Sequence, residues 1–434
     1  MLGFSFALAI GMGNVIGAGI MRTPGGVVDN IPSMPIVMGL WLLGGLHCLL
    51  LANIASELIT AIPKVGGNYV PVRFVFGDSL GLLAGWADWL SAIASVAALG
   101  VVCANFTAVL IPPLGAYTPL VAMAFGAMSF AVNFWGVRES AAAEIGGSLL
   151  KFLFLCAIVV AIFVYPPLSL EIQSSPNQAG GESTFGLFGI LIAYQLIYGA
   201  YGGWSGSTYF VEEDSHAIRH LPRAMFMTVG SIMVVYLLLN AGLFHALPID
   251  VLRQSDLPVS VAMANIFGPI GGKIVAACAI LLAANCLHGN LMVAPRILYG
   301  MGRDGLFPLI ATRVNKHGTP DVALAISGLF AAVLILSGGF EFLFRLMGAL
   351  IIFTFVLYEA SLFGLRIKHP NLPRPYRAKL YPALPILVTL VDVALLVLYI
   401  STDLFSGGVM LGLIALCVPI GHYLSRERQR ARAA

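Results

Sequence analysis

The chain has 434 residues, of which 59% are hydrophobic and 10% charged, with a formal net charge of +3. Soluble domains carry about 25% charged residues, so this composition excludes a water-soluble globular protein. A mean hydropathy of +0.93 points instead to a polytopic all-α integral membrane protein. The net charge says little by itself, and no nucleic-acid partner is expected; the placement of the charges says more.

A helix that crosses lipid needs about 20 apolar residues. By that measure about twelve spans run near 2–30, 35–62, 79–111, 118–137, 141–165, 186–211, 224–247, 273–300, 321–337, 342–366, 381–404 and 408–424. No Lys or Arg precedes Arg22, so the first stretch lacks the basic start of a cleaved signal peptide and reads as a retained span. In its middle lies Gly11-Met-Gly-Asn-Val-Ile-Gly-Ala-Gly-Ile20. Each of its four glycines costs roughly 1 kcal/mol relative to alanine inside a helix. The helix is therefore expected to break there, which lipid tolerates only where the break is buried in protein or lines a wet cavity. A second break is expected in span six, at Gly199-Ala-Tyr-Gly-Gly-Trp-Ser-Gly206. Paired interrupted spans are the best sequence pointer to a transporter's binding site.

Short-loop bases set orientation. With twelve spans, one side holds Lys64, Arg73, Arg138, Arg219, Arg223, Arg296, Arg303, Arg313, Lys316, Arg366, Lys368, Arg374, Arg377 and Lys379, and the tail adds Arg426, Arg428, Arg430 and Arg432. The other side holds only Arg22, Arg253, Lys273 and Arg345, and the loop 166–184 carries Glu171 and Glu182 with no base. Both termini are thus expected in the cytoplasm of a multi-pass cell-membrane protein, the inner membrane if the source is bacterial. The six cysteines, Cys48, Cys103, Cys156, Cys278, Cys286 and Cys417, all fall in apolar stretches without a CxxC and read as packing thiols.

Five spans separate the two breaks, an odd number, so the two units insert with opposite topology. This suggests an inverted repeat of 1–165 and 186–366, followed by spans eleven and twelve (367–424) and a basic tail (425–434).

Six motifs carry a resemblance. They are Gly13-Asn-Val-Ile-Gly-Ala-Gly-Ile20, Pro63-Lys-Val-Gly-Gly-Asn-Tyr69, Ala200-Tyr-Gly-Gly-Trp204 with Glu212-Glu213, Leu221-Pro-Arg-Ala224, Arg303-Asp-Gly-Leu-Phe-Pro308 and Arg374-Pro-Tyr376. In this order they cover nearly the whole chain. The chain resembles members of the amino acid–polyamine–organocation superfamily, above all the L-type amino-acid transporters and their bacterial relatives. The resemblance implies the LeuT-type five-plus-five inverted-repeat fold with broken helices 1 and 6, and amino-acid transport by alternating access.

A broken helix offers both dipole ends at one point. Free N–H groups opening the second half suit a carboxylate, and carbonyls closing the first half suit an ammonium. The carboxylate of an amino acid is assigned to the amides of Gly17, Ala18 and Gly19. Its ammonium is assigned to carbonyls near Val15 and Ile16 and from Ala200 through Tyr201 to Gly202. The alternative is that the glycines only permit close helix packing, as the Gly13/Gly17 spacing allows. L-type relatives usually carry an aromatic lid at the position of Gly199 and a polar amide at that of Ser205. Glycine leaves room for a larger side chain unless Tyr198, Tyr201 or Trp204 supplies the gate. Ala18 replaces the common serine.

Lys151 lies two to three turns into span five, and a charge inside a span is a functional-site hypothesis. The resemblance places it where sodium-coupled members hold a sodium ion, bridging Gly13 to Val15 in span one and Cys286 to Gly289 in span eight. It is read as a fixed cation or as the site of a coupled proton, the alternative being a side chain that snorkels to the surface. Transport is expected to be sodium-independent, as proton symport or exchange. His288 reads as a packing histidine. His216 and His220 are spaced for a metal but lie in a charged loop, and no metal or cofactor is expected. Glu212 or Glu213 is expected to pair with Arg223 or Arg73. The competing function is an amine or ion transporter or channel on the same scaffold. No enzyme motif such as HExxH, GxSxG or GxxxxGK[ST] is present.

Overall fold

A computed structural model describes residues 3–421 apart from 18, 166–185, 256, 403, 418 and 420. Ala18, the acidic loop and the basic tail therefore lie outside the described residues. Among these residues the chain is helical throughout, with no strand. Helices α1 (Phe4–Val15) and α2 (Gly19–Asn30) meet at a 41° bend. Then follow α3 (Met34–Ala61), the short α4 (Tyr69–Phe76), α5 (Asp78–Leu110), α6 (Thr118–Trp135) and α7 (Val137–Val164). The second half opens with α8 (Leu187–Tyr201), which gives way to a 3-10 segment, Trp204–Glu213. After it come α9 (Ala217–Ala246), the short α10 (Ile249–Gln254) and α11 (Pro258–Phe267), and then α12 (Pro269–Arg303), α13 (Asp321–Ser337) and α14 (Phe340–Lys368). Helices α15 (Ala383–Thr402) and α16 (Leu404–Ala415) close the bundle.

Eight of these helices are long and apolar enough to cross a membrane, and the bent α1–α2 pair makes a ninth. Span six with its break, the apolar α13 and α16 complete the twelve expected. The last differs in place: α16 begins at Leu404, four residues before the expected start, leaving almost no loop after α15.

The centre of the bundle is α5, packed among α4, α6, α12, α13 and α14. Its stretch from Gly81 to Val102 is buried almost without a gap, as befits a helix that is apolar all round. Outer helices bury one face only. On α7 the residues Leu149, Leu153 and Val160 point outward, as do Leu390 and Val397 on α15, giving the surface that lipid covers. One end of the bundle carries the charged loops. There Glu57, wholly buried, takes Arg366 at 2.6 Å and Arg374 at 3.3 Å, while Arg73 meets Asp304 at 2.9 Å. Asn53, a turn before Glu57, holds the 374–379 loop through Tyr376 and Lys379.

Candidate functional site

The two breaks are real and lie against each other. After Val15 the Ile16 N–H still donates to the Met12 carbonyl (2.9 Å), and the Gly17 N–H turns back onto Val15 at 2.8 Å before α2 starts at Gly19. In span six Gly202 N–H closes on Gly199 at 3.2 Å, and Gly203 takes φ +105°, which suits glycine and few other residues. A side chain at Gly203 would also run into the Asn14 carbonyl, 2.7 Å from where its Cβ would sit. A Cβ on Gly19 would lie 3.4 Å from the Ala200 Cα, so the two unwound segments touch. Tyr236, from α9, spans them: its hydroxyl lies 3.1 Å from the Val15 carbonyl and 3.4 Å from that of Ala200. The sequence reading missed Tyr236, since a lone tyrosine in an apolar span carries no pattern.

The breaks open onto a cavity of about 110 Å³. Val15, Gly17 and Gly19 line it from span one, and Tyr198, Gly199, Ala200, Gly202, Trp204 and Ser205 from span six. Ile16 is wholly buried elsewhere, and Tyr201 turns away to pack on Trp41 and Tyr236, donating to the Trp41 carbonyl at 3.1 Å. The space beside Gly199 is not a hole. Phe344 of α14 fills it, 2.9 Å from where a Cβ would be. Trp204 stacks on Phe355 at 5.8 Å, and both line the cavity. Asn14 also faces the cavity, and its buried Oδ1 has no donor. Span three adds Asp88, Ser91 and Ser95 to the wall, with the Tyr209 hydroxyl donating to Asp88 at 2.9 Å.

Lys151 is buried and donates to the carbonyl of Gly13, at the end of α1. From span eight, Cys286 Sγ donates to the neighbouring Asn14 carbonyl at 3.1 Å. Lys151 is not the only ionisable group on its helix face. Glu144, wholly buried, accepts from Ser148 at 3.1 Å and from Asn285 at 3.0 Å. Gly13 is what lets this polar face approach, because a Cβ there would overlap the Glu144 carboxyl. The signal was present in the sequence: 144, 148 and 151 share one helix face.

At the charged end the acidic pair does not meet Arg223 or Arg73. Glu212 takes Arg303 at 2.7 Å and the Val65 N–H at 2.9 Å, and Glu213 takes Arg296 at 2.7 Å. Arg296 also lies over the Phe210 ring at 4.1 Å. The reason is that the 3-10 segment ends against α12, whose last turns carry both arginines. His288 accepts or donates to Ser129, Asn133 and the Ser140 carbonyl, a packing role. His220 pairs with Asp214 at 2.7 Å.

A bundle of apolar helices with two interrupted spans meeting at a cavity is the architecture of a membrane carrier. Residues 2–419 match the family model described as amino acid permease, and the chain belongs to that family of transporters. It is similar to the serine/threonine exchanger of Bacillus subtilis, with 25% identity over 97% of this chain and 96% of the relative. It is similar also to the human large neutral amino acids transporter small subunit 2, at 26% over 96% and 79%. The human cystine/glutamate transporter is 24% identical, over 93% and 80%.

Proposed function

We propose that the protein is a secondary transporter that moves amino acids across the cell membrane by alternating access, with both termini in the cytoplasm. The observation that carries this reading is the meeting of two broken spans at one cavity. There the chain can offer N–H groups and carbonyls of opposite polarity to a zwitterion. The amide of Gly19, opening α2, supports a carboxylate site, and that of Gly17 completes it. The Gly17 N–H now closes on Val15, so a carboxylate would share or take it. The ammonium falls to the Val15 and Ala200 carbonyls beside Tyr236 and to the unpartnered Asn14 Oδ1. Tyr198 and Phe344 border the side-chain end of the cavity.

Lys151 supports sodium-independent transport, since its ammonium already neutralises the carbonyl end of α1 that a sodium ion would otherwise serve. Unit 1–165 and unit 186–366 rock about the cavity as inverted repeats, and the Glu212–Arg303 and Glu213–Arg296 pairs must part when the charged end opens. The test is uptake into proteoliposomes of a panel of labelled amino acids set against amines, with and without sodium and a pH gradient. Sodium-independent uptake of at least one amino acid is expected; uptake of amines alone would refute the reading.

A further inference from the structure

A second buried polar cluster lies behind the cavity wall, where α14 and α15 meet α3 and α8. Glu359 of α14 and Asp392 of α15 are both wholly inaccessible and neighbour each other where α14 packs on α15. Each is nine residues from the helix end at the 369–382 loop, a depth of about 14 Å at 1.5 Å per residue. Neither Glu359 oxygen meets an N–H or O–H donor. The Thr389 hydroxyl nearby donates to the Pro385 carbonyl instead. Two carboxylates side by side in a low-dielectric interior do not both stay ionised. A proton shared between them would supply the donor that the pair lacks.

Polar groups of α3 and α8 surround the pair. His47 of α3 is 6% exposed, and its Nε2 faces Asp392 Oδ1 at 3.3 Å while its Nδ1 lies 2.8 Å from the Tyr194 hydroxyl. The Tyr198 hydroxyl donates to Asp392 Oδ2 at 3.3 Å. Cys48 completes the facing groups from α3. Asp88 on α5 faces Tyr358 and Tyr209 instead, and Arg345 lies farther along the seam with Tyr399 and Gln195. Of the facing groups, Tyr198 and Cys48 also line the transport cavity.

We propose that Glu359 and Asp392 form a proton-binding site in the wall of the transport cavity, with Tyr198 as its link to the substrate. The inference rests on the transport reading above and names its coupling ion. A ligand that draws Tyr198 into the cavity removes a donor from Asp392, so ligand and proton act on the same carboxyl. By linkage, each changes the other's affinity by the same factor.

The experiment compares wild type with Glu359→Gln and Asp392→Asn in proteoliposomes, using the amino acid taken up best in the panel. In wild type an inward proton gradient drives accumulation, and the rate of exchange against the same amino acid follows pH. In both variants accumulation falls to the level seen without a gradient, and exchange continues without following pH. On purified wild type, infrared difference spectra on adding that amino acid show a protonated-carboxyl C=O band that shifts in heavy water and is missing in Glu359→Gln. Gradient-driven accumulation in the variants, or no such band in wild type, overturns the proton site. Wild type that exchanges amino acids yet ignores the gradient also overturns it and leaves the transport reading standing. If no amino acid is transported, the transport reading fails with the inference that rests on it.

Discussion

The contact between Phe344 and Gly199 makes the shape of the cavity testable by moving an aromatic ring from one span to another. Replacing Gly199 with phenylalanine puts a Cβ 2.9 Å from Phe344 Cζ and 3.2 Å from its Cε1, before the new ring is added. Carbon contacts are normally about 3.5–4.0 Å, so Phe344 must swing away into the cavity or towards Phe340, on which it stacks at 5.4 Å. Overpacking of this kind costs about 1–3 kcal/mol, which is roughly 5- to 150-fold in an equilibrium constant. Gly199→Phe is therefore expected to raise KM by that factor, most for amino acids with large side chains, and to shift preference towards smaller ones. Phe344→Ala removes the opposing ring, and the double variant is expected to recover most of the loss, with a coupling of about 0.5–3 kcal/mol. The assay is the KM ranking of the amino-acid panel in proteoliposomes for all four proteins of the cycle. If the two single effects simply multiply in the double variant, the rings do not compete for one space, and the account of the lid is wrong.

The remaining predictions address the ends of the site. Gly19→Leu is expected to abolish substrate binding while leaving the protein folded in membranes, because its Cβ fits in ordinary contact with Ala200 at 3.4 Å while the rest of its bulk would fill the carboxylate end of the cavity; wild-type affinity would show that the carboxylate binds elsewhere. Lys151→Ala strips the Gly13 carbonyl of its donor, at about 1–3 kcal/mol, and is expected to slow exchange and net uptake alike, well beyond any loss of expression. Full activity in that variant, or sodium-dependent uptake in wild type, would remove Lys151 from the mechanism. A reporter fused to the C-terminus and active only outside the cytoplasm is expected to stay silent; a signal would reverse the topology.

What could be read from the sequence was whatever depends on neighbours along the chain. Composition and runs of about 20 apolar residues are local quantities, and they gave the membrane class and nearly every span. The glycine clusters marked both breaks because a helix pays for glycine wherever it sits, and a base in an apolar stretch marked Lys151. Glu144, on the same face as Lys151, was within reach of that logic and was passed over. Other features lay beyond it. Phe344 over Gly199, Tyr236 between the Val15 and Ala200 carbonyls, and Arg303 rather than Arg73 on Glu212 join spans far apart in sequence. So does the meeting of Glu359, Asp392 and His47. Each of these residues sits singly in its own segment, and helical periodicity says which face it occupies but not which helix that face meets. Only the packing of the bundle decides that, because burying a polar group without a partner is costly, and its partner must come from whichever helix the fold brings alongside.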